Sequence, residues 1–597
     1  MKKCKAIVAV VLAIAVLLSS LTVVASAASF GDKVGDFILT KVLTDKVQEK
    51  ILTGVVRGLD LIVPERGNIP KWDDNYSVSN FLPGDEQFID ENPNGTFSLG
   101  TAEASLVPEN WAEMNVHLGG FMGIENGFCN KMEEATDDMR VRVFALDDGT
   151  GRGVTVVAVV DSIGITNKTI REIRGKVLDA IGESMKVKSI TVSATHCHSC
   201  IDTEGLWSEL LPKLGKNLLK LWTGIGKPET GTIPEYMAFF KDTVADTIVK
   251  ACKDLTPGTM TFAQKKLGEG FLRFKNAETE TSLDDTLSRL VFTPDDSSKK
   301  PTMIVTMAAH PDNAGLPTGS NSGRALSGDY VYYMGEAVND SGYNFVFFNG
   351  AIASIYFDSG RTNNDQENAR RVDSSVRYGR AIGKMAVAMT MTEAEILANP
   401  KLYDAKVEAE ELAVLAEHNK NRSEDEQREY WYWYKGWEPV RETVVDPVLN
   451  VKHRQIFVPV TNSLLRAVCK LRLVEYDVVK KGRVYYAVTE VGYMELGNGQ
   501  VKVAMLPGEV IQDLVYGGDS LTAAGSVLGK AFPYPTVAEL FGEDVIAMGL
   551  ANDAVGYILP DTNYCMSATR YNEIISLGNK TASTMIEGLQ AIADSIK

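Results

Sequence analysis

The chain alternates between unbroken apolar runs and segments whose apolar residues recur at helical spacing. "GVTVVAVVDSIG" (Gly153–Gly164) is a continuous β-branched run, the pattern of a strand buried on both faces. Asn167–Met185 is helical by period, and "KSITVSATH" (Lys188–His196) reads as the next strand. Further strands are predicted at Thr302–His310, Asn344–Gly350, Val501–Gly508 and Asp544–Asp553. Strand–helix–strand succession of this kind predicts an α/β fold, with a mixed or parallel sheet covered by helices. A charged helical segment from Ala394 to Arg428 presents a solvated face, and "KTASTMIEGLQAIADSI" (Lys580–Ile596) predicts a closing helix.

Ahead of this body, Val34, Ile38, Val42, Val47, Ile51, Val55 and Leu59 recur at near-helical spacing and predict an amphipathic helix. A polar stretch rich in Pro, Gly and Asn follows from Pro64 to Gly95. Residues 28–95 therefore read as an extension that packs on or tethers a main domain of residues 96–597. The first 27 residues have a different character. A basic head (Lys2, Lys3, Lys5), an apolar run from Ala6 to Val24 and "ASA" (Ala25–Ala27) describe a signal peptide cut after Ala27. No later segment is long and apolar enough to span a bilayer. The expectation is a soluble, secreted protein.

Charge and cysteine usage narrow the partners. The net charge of −17 and the lack of a basic stripe exclude a nucleic-acid partner. Cys129, Cys197, Cys200, Cys252, Cys469 and Cys565 are scattered through a long chain, so disulfides are not what holds the fold. Oligomeric state leaves no mark in the sequence.

The candidate chemistry lies where the predicted strands end. His196 and His198 follow one strand, His310 a second, Glu509 a third, and Asn552, Asp553 and Tyr557 a fourth. Open α/β sheets place ligands just beyond their strand carboxyl ends. A zinc hydrolase needs imidazole and carboxylate ligands with a position left open for water. The chain has six histidines, and three of them stand at strand ends, whereas His117, His418 and His453 do not.

"ATHCHS" (Ala194–Ser199) resembles the "THTHSGP" motif of neutral, non-lysosomal ceramidases, zinc amidases that cleave the N-acyl bond of ceramide. "AAHPDNAG" with "ALSGDY" (Ala325–Tyr330), "MLPGEV" (Met505–Val510) and "LANDAVGYILP" (Leu550–Pro560) are similar to further motifs of that family, in the same order. "LGTAEASLVPENW" to "GGFMG" resembles the family's domain start, so the likeness runs patchily from about Leu99 almost to the C-terminus. The resemblance implies a Zn2+ site of His196, His310, Glu509 and Tyr557. It implies that His198 bonds the substrate carbonyl or shuttles a proton, and that Arg273 in "GFLRFKN" stands near the substrate. It also implies a lipid or small-molecule substrate and allows peripheral membrane contact.

The departures are specific. The family's "SGPGG" becomes Ser199, Cys200, Ile201, Asp202 and Thr203, and its "GDVSPN" falls on Ala353–Asp358, with Tyr356 in the serine's place. The family's C-terminal immunoglobulin-like domain is not expected here. Three alternatives therefore stay open: the same zinc site acting on another amide or ester, a binding protein that has lost the chemistry, or a redox pair or local His/Cys metal site. The third draws on Cys197 and Cys200, a Cys-x-x-Cys interleaved with the histidines. The aromatic run "EYWYWYKGW" (Glu429–Trp437) reads as core packing where a helix meets the sheet, with an acyl groove, sugar stacking or a membrane interface as the rivals.

Overall fold

The computed structural model describes residues 45–65, 69–73, 76–120, 129–268, 272–274, 280–312, 325–357, 371–420, 422–423, 427, 430–566 and 570–596. The expected signal segment and the first part of the predicted N-terminal helix lie outside them. The remainder of that helix is α1 (Asp45–Ile62). Then follow β1 (Phe97–Ser105), β2 (Arg140–Asp147), β3 (Val154–Val160), α2 (Asn167–Ile181), β4 (Val187–Ala194) and α3 (Pro234–Lys253). Next come β5 (Thr256–Lys266), β6 (Thr286–Pro294), β7 (Thr302–Met307), α4 (Asp329–Asp340), β8 (Asn344–Asn349) and α5 (Arg371–Ala388). The last are β9 (Leu449–Pro459), β10 (Val484–Leu496), β11 (Val501–Met505), β12 (Ile546–Met548) and α6 (Thr581–Ser595).

The strands form two mixed sheets rather than the single run their spacing suggests. The larger has the order β8-β7-β6-β5-β1-β2-β3-β4, parallel only at its two ends, between β7 and β8 and between β3 and β4. Each parallel pair is joined through a helix, α4 or α2, because a parallel connection must cross over the sheet. The smaller sheet runs β9-β10-β11-β12. The sheets stack on a shared apolar layer that includes Phe144, Val157, Phe292 and Phe348 from one and Val451, Met494, Val503 and Met548 from the other. α2 and α3 cover the outer face of β1–β4, α4 and α5 that of β6–β8, and α6 the outer face of the smaller sheet. The result is a helix–sheet–sheet–helix sandwich.

β3, whose seven residues are all buried, matches its unbroken apolar run because it has core on both faces. The described part of residues 28–95 lies along the body. Asp60 of α1 meets Lys470, Trp72 stacks on Phe457, and Asp85 accepts from Lys188 and the Val451 amide. Tyr434 and Trp437 of the aromatic run are buried with α4 and α5, and the Trp437 indole donates to the Ala388 carbonyl, as core packing requires. Among the described residues, no helix is long and apolar enough to cross a membrane.

Candidate metal centre

β4 delivers the first histidine. After Ala194 the chain leaves the sheet, and His196 adopts φ +65°, a left-handed conformation that is uncommon for non-glycine residues. His196 Nδ1 lies 2.7 Å from the Ile163 carbonyl. β7 delivers His310, fully buried, with its Nδ1 3.1 Å from the Ile355 carbonyl and its backbone N–H donating to the same oxygen. Glu509 follows β11 and pairs in parallel register with Tyr557. Its Oε2 lies 3.2 Å from His196 Nε2 and 3.3 Å from His310 Nε2. His198 completes the group: its ring stands 4.8 Å from that of His196 and 5.6 Å from that of His310. Ligating atoms of His196, His198 and His310 all lie within 4.8 Å of one another.

These contacts test whether a metal fits. A carbonyl oxygen only accepts, so each Nδ1 carries its proton and each Nε2 turns a lone pair toward Glu509. His310 Nε2 and Glu509 Oε2 are buried with no hydrogen-bond donor. A divalent cation satisfies all three electron pairs at once. Ligands held about 2.0–2.1 Å from a tetrahedral zinc are separated by roughly 3.3 Å, which matches the distance of Glu509 from each imidazole. Imidazole and carboxylate with no sulfur are also a donor set that zinc accepts.

Tyr557 is buried beside Glu509, its partner in the parallel register. Burial first, and then the Glu509 charge, push its phenol far above the usual range. Arg273 lies on the short strand Leu272–Phe274, opposite Tyr356 of Ile355–Phe357 in antiparallel register; its side chain lies outside the described residues. Tyr356 itself stacks on His310, with ring centroids 4.4 Å apart and planes 9° from parallel.

The Cys-x-x-Cys pair turns away from the centre. Cys197 and Cys200 are fully buried, and both thiols donate to the Ser327 carbonyl. Burial raises both thiols, and neither sulfur belongs to the His196, His198 and His310 group. His453 is a buried core histidine 2.7 Å from Ser189 Oγ, and burial lowers it to about 4. His117 lies 3.3 Å from Cys129 Sγ. The side chain of His418 lies outside the described residues.

Sequence reasoning missed the residues that build around this group. Glu204 is nearly buried, and burial first, then the charges of Asp202, Glu509 and Asp553, raise its carboxyl well above the usual range. It packs on Gly164, where a Cβ would fall 2.4 Å from Glu204 Oε1 and 2.5 Å from the Ala554 Cβ. Gly164→Ala is expected to destabilise the fold by about 1–3 kcal/mol through overpacking. It should also displace Ile163, whose carbonyl orients His196. Denaturant melts with a metal-affinity titration check this; wild-type values in both would refute it.

No family model matches the chain, and no curated protein matches it. Among solved structures it is similar to the neutral ceramidase from Pseudomonas aeruginosa, with TM-score 0.52 and 12% identity, over 84% of this chain and 75% of that one. A ceramidase complexed with C2 is similar at TM-score 0.50 and 13% identity, over 84% of this chain and 76% of that one. At such identity the likeness is one of architecture. The chain has a distant ceramidase-like α/β fold.

Proposed function

We propose that this protein is a secreted zinc-dependent hydrolase that cleaves an N-acyl amide bond, with a ceramide-like lipid as the first substrate class to test. In this reading residues 1–27 direct export, residues 28–95 are an accessory extension that allows peripheral membrane contact, and residues 96–597 carry the activity. The observation that supports it is the convergence of buried, donor-less His310 Nε2 and Glu509 Oε2 with His196 Nε2 at metal-ligand spacing. His196, His310, Glu509 and Tyr557 would hold the ion. Bound there, zinc would lower the pKa of water and polarise the scissile carbonyl.

The side chains of this chain supply the rest. The Ile163 and Ile355 carbonyls hold the two imidazoles in one tautomer, so each Nε2 stays unprotonated and aimed at Glu509. His198, beside the group and not wholly buried, would bond the substrate carbonyl or hand a proton to the leaving amine, tasks open to an imidazole. Arg273 would lie on the substrate side, opposite Tyr356. A panel of N-acyl amides and matched esters, assayed with and without a chelator, tests the reading. Chelator-sensitive amide hydrolysis is expected. Turnover that survives complete metal removal would refute it.

A second reading rests on Tyr356. Its ring covers one face of His310, where the ceramidase resemblance leads one to expect a serine. An aromatic wall beside the metal group favours a different acyl or ester substrate. The same panel separates the two, because only the scissile bond and acyl preference change. Stoichiometric metal with no turnover on any substrate would favour a binding protein.

A further inference from the structure

The two histidines that face Glu509 follow β4 and β7, and these strands are not neighbours. In the sheet order β4 is one end strand, while β7 stands next to the other end strand, β8. Among the described residues no backbone ladder joins β4 to β7 or β8. The spacing of His196 and His310 must therefore be set by something other than strand pairing.

Asn349, the last residue of β8, is fully buried at this seam. Its Nδ2 donates to the Thr195 carbonyl at 2.9 Å and to the Ala309 carbonyl at 2.8 Å. Its Oδ1 accepts from the Ala309 amide at 3.1 Å and from the Gly350 amide at 3.0 Å. Two carbonyls that only accept and two amides that only donate fix which way the side chain points, and they use its full hydrogen-bonding capacity. Thr195 immediately precedes His196, and Ala309 immediately precedes His310. The Asn349 carbonyl also accepts from Gly549, whose own carbonyl takes the Ser193 hydroxyl. One further cross-seam bond, from the His198 amide to the Pro311 carbonyl, lies just beyond the histidines.

We propose that Asn349 is a positioning residue for the metal centre, its side-chain amide fixing the separation and direction of His196 and His310 by clamping the residue before each. The inference rests on reading those histidines as metal ligands. A side chain that only filled core volume would need none of its four hydrogen bonds to reach the residues flanking the ligands. The left-handed turn at His196 has the same dependence. With the Thr195 carbonyl held, the strained residue that follows has one direction to take; with it released, the turn relaxes.

The test uses the full chain with 15N-labelled histidine, in wild type, Asn349→Ala, Asn349→Asp and the control Val346→Ala. Val346 is fully buried on the same strand and faces the layer between the sheets. Asn349→Asp keeps the size and the acceptor and loses both donors. Cobalt affinity is expected to fall about 10- to 100-fold in both Asn349 variants, as for lost outer partners of ligand histidines. The control should lose stability and keep its cobalt affinity within about threefold. In metal-free protein, the His196 and His310 rings should show the Nδ1–H tautomer in wild type and control, and lose that uniformity in the Asn349 variants. Unchanged tautomers, or cobalt affinities no weaker than the control's, would overturn the proposal. A wild type that binds no cobalt would instead defeat the metal reading, and the tautomer comparison would then decide the role of Asn349 alone.

Discussion

His310→Ala is expected to lose bound metal and amide hydrolysis together while the chain stays folded. The ring is fully buried, and its two nitrogens are committed in opposite directions, Nδ1 to Ile355 and Nε2 to Glu509. Under the proposed ligand set alanine leaves His196, Glu509 and Tyr557, one ligand short of a tetrahedral site, with a buried carboxylate that has lost a partner. Turnover should drop at least about a thousandfold, because the shift of water's pKa from 15.7 to about 7 goes with the metal. His453→Ala is the matched control. It also removes a buried imidazole, but one bonded to Ser189 away from the centre, so it should cost stability and leave metal content unchanged. Metal retained in His310→Ala would assign the ion to other residues.

The largest effect on stability is expected at Arg174, which is fully buried in α2. It donates to the Ile190 carbonyl of β4 at 2.9 Å and makes a two-pronged contact with Glu490 of β10, so one side chain ties a helix to both sheets. Burial raises the Glu490 carboxyl, and Arg174 more than offsets it, leaving the group below its usual range. Arg174→Ala strands that carboxylate in the core and should cost about 3–5 kcal/mol. The double variant Arg174→Met with Glu490→Leu should recover most of that loss, since an apolar pair of similar volume often equals a buried ion pair. Urea midpoints measure both. A single variant within about 1 kcal/mol of wild type would mean the pair carries little.

The sequence and the structure agree where the local pattern is set by burial alone. β3 is apolar because both its faces are covered, and His196, His310, Glu509 and Tyr557 stand together because each follows a strand whose carboxyl end points to one place. Partition into two sheets was not legible. Val503 and Ile546 carry the same β-branched signature as Val157, and nothing local says which sheet a strand joins. Asp544–Asp553 reads as one strand, yet its ladder with β11 covers only Ile546–Met548; Leu550 and Asn552 both turn to positive φ, and Ala551 between them bridges Ser193 of β4 instead. Asn349 and Glu204 were invisible for a different reason. Their roles arise from residues 154 and 40 positions away, or from contact with Gly164, and no spacing rule reaches that far. Arg273 could be placed on its strand, with no contact of its side chain to weigh.

The most direct test is X-ray absorption, with elemental analysis, on the full-length purified protein. The account predicts close to one zinc per chain in a shell of nitrogen and oxygen scatterers at about 2.0–2.1 Å. A shell containing sulfur at about 2.3 Å would move the site to Cys197 and Cys200 and contradict it, as would protein that takes up no metal when zinc is supplied.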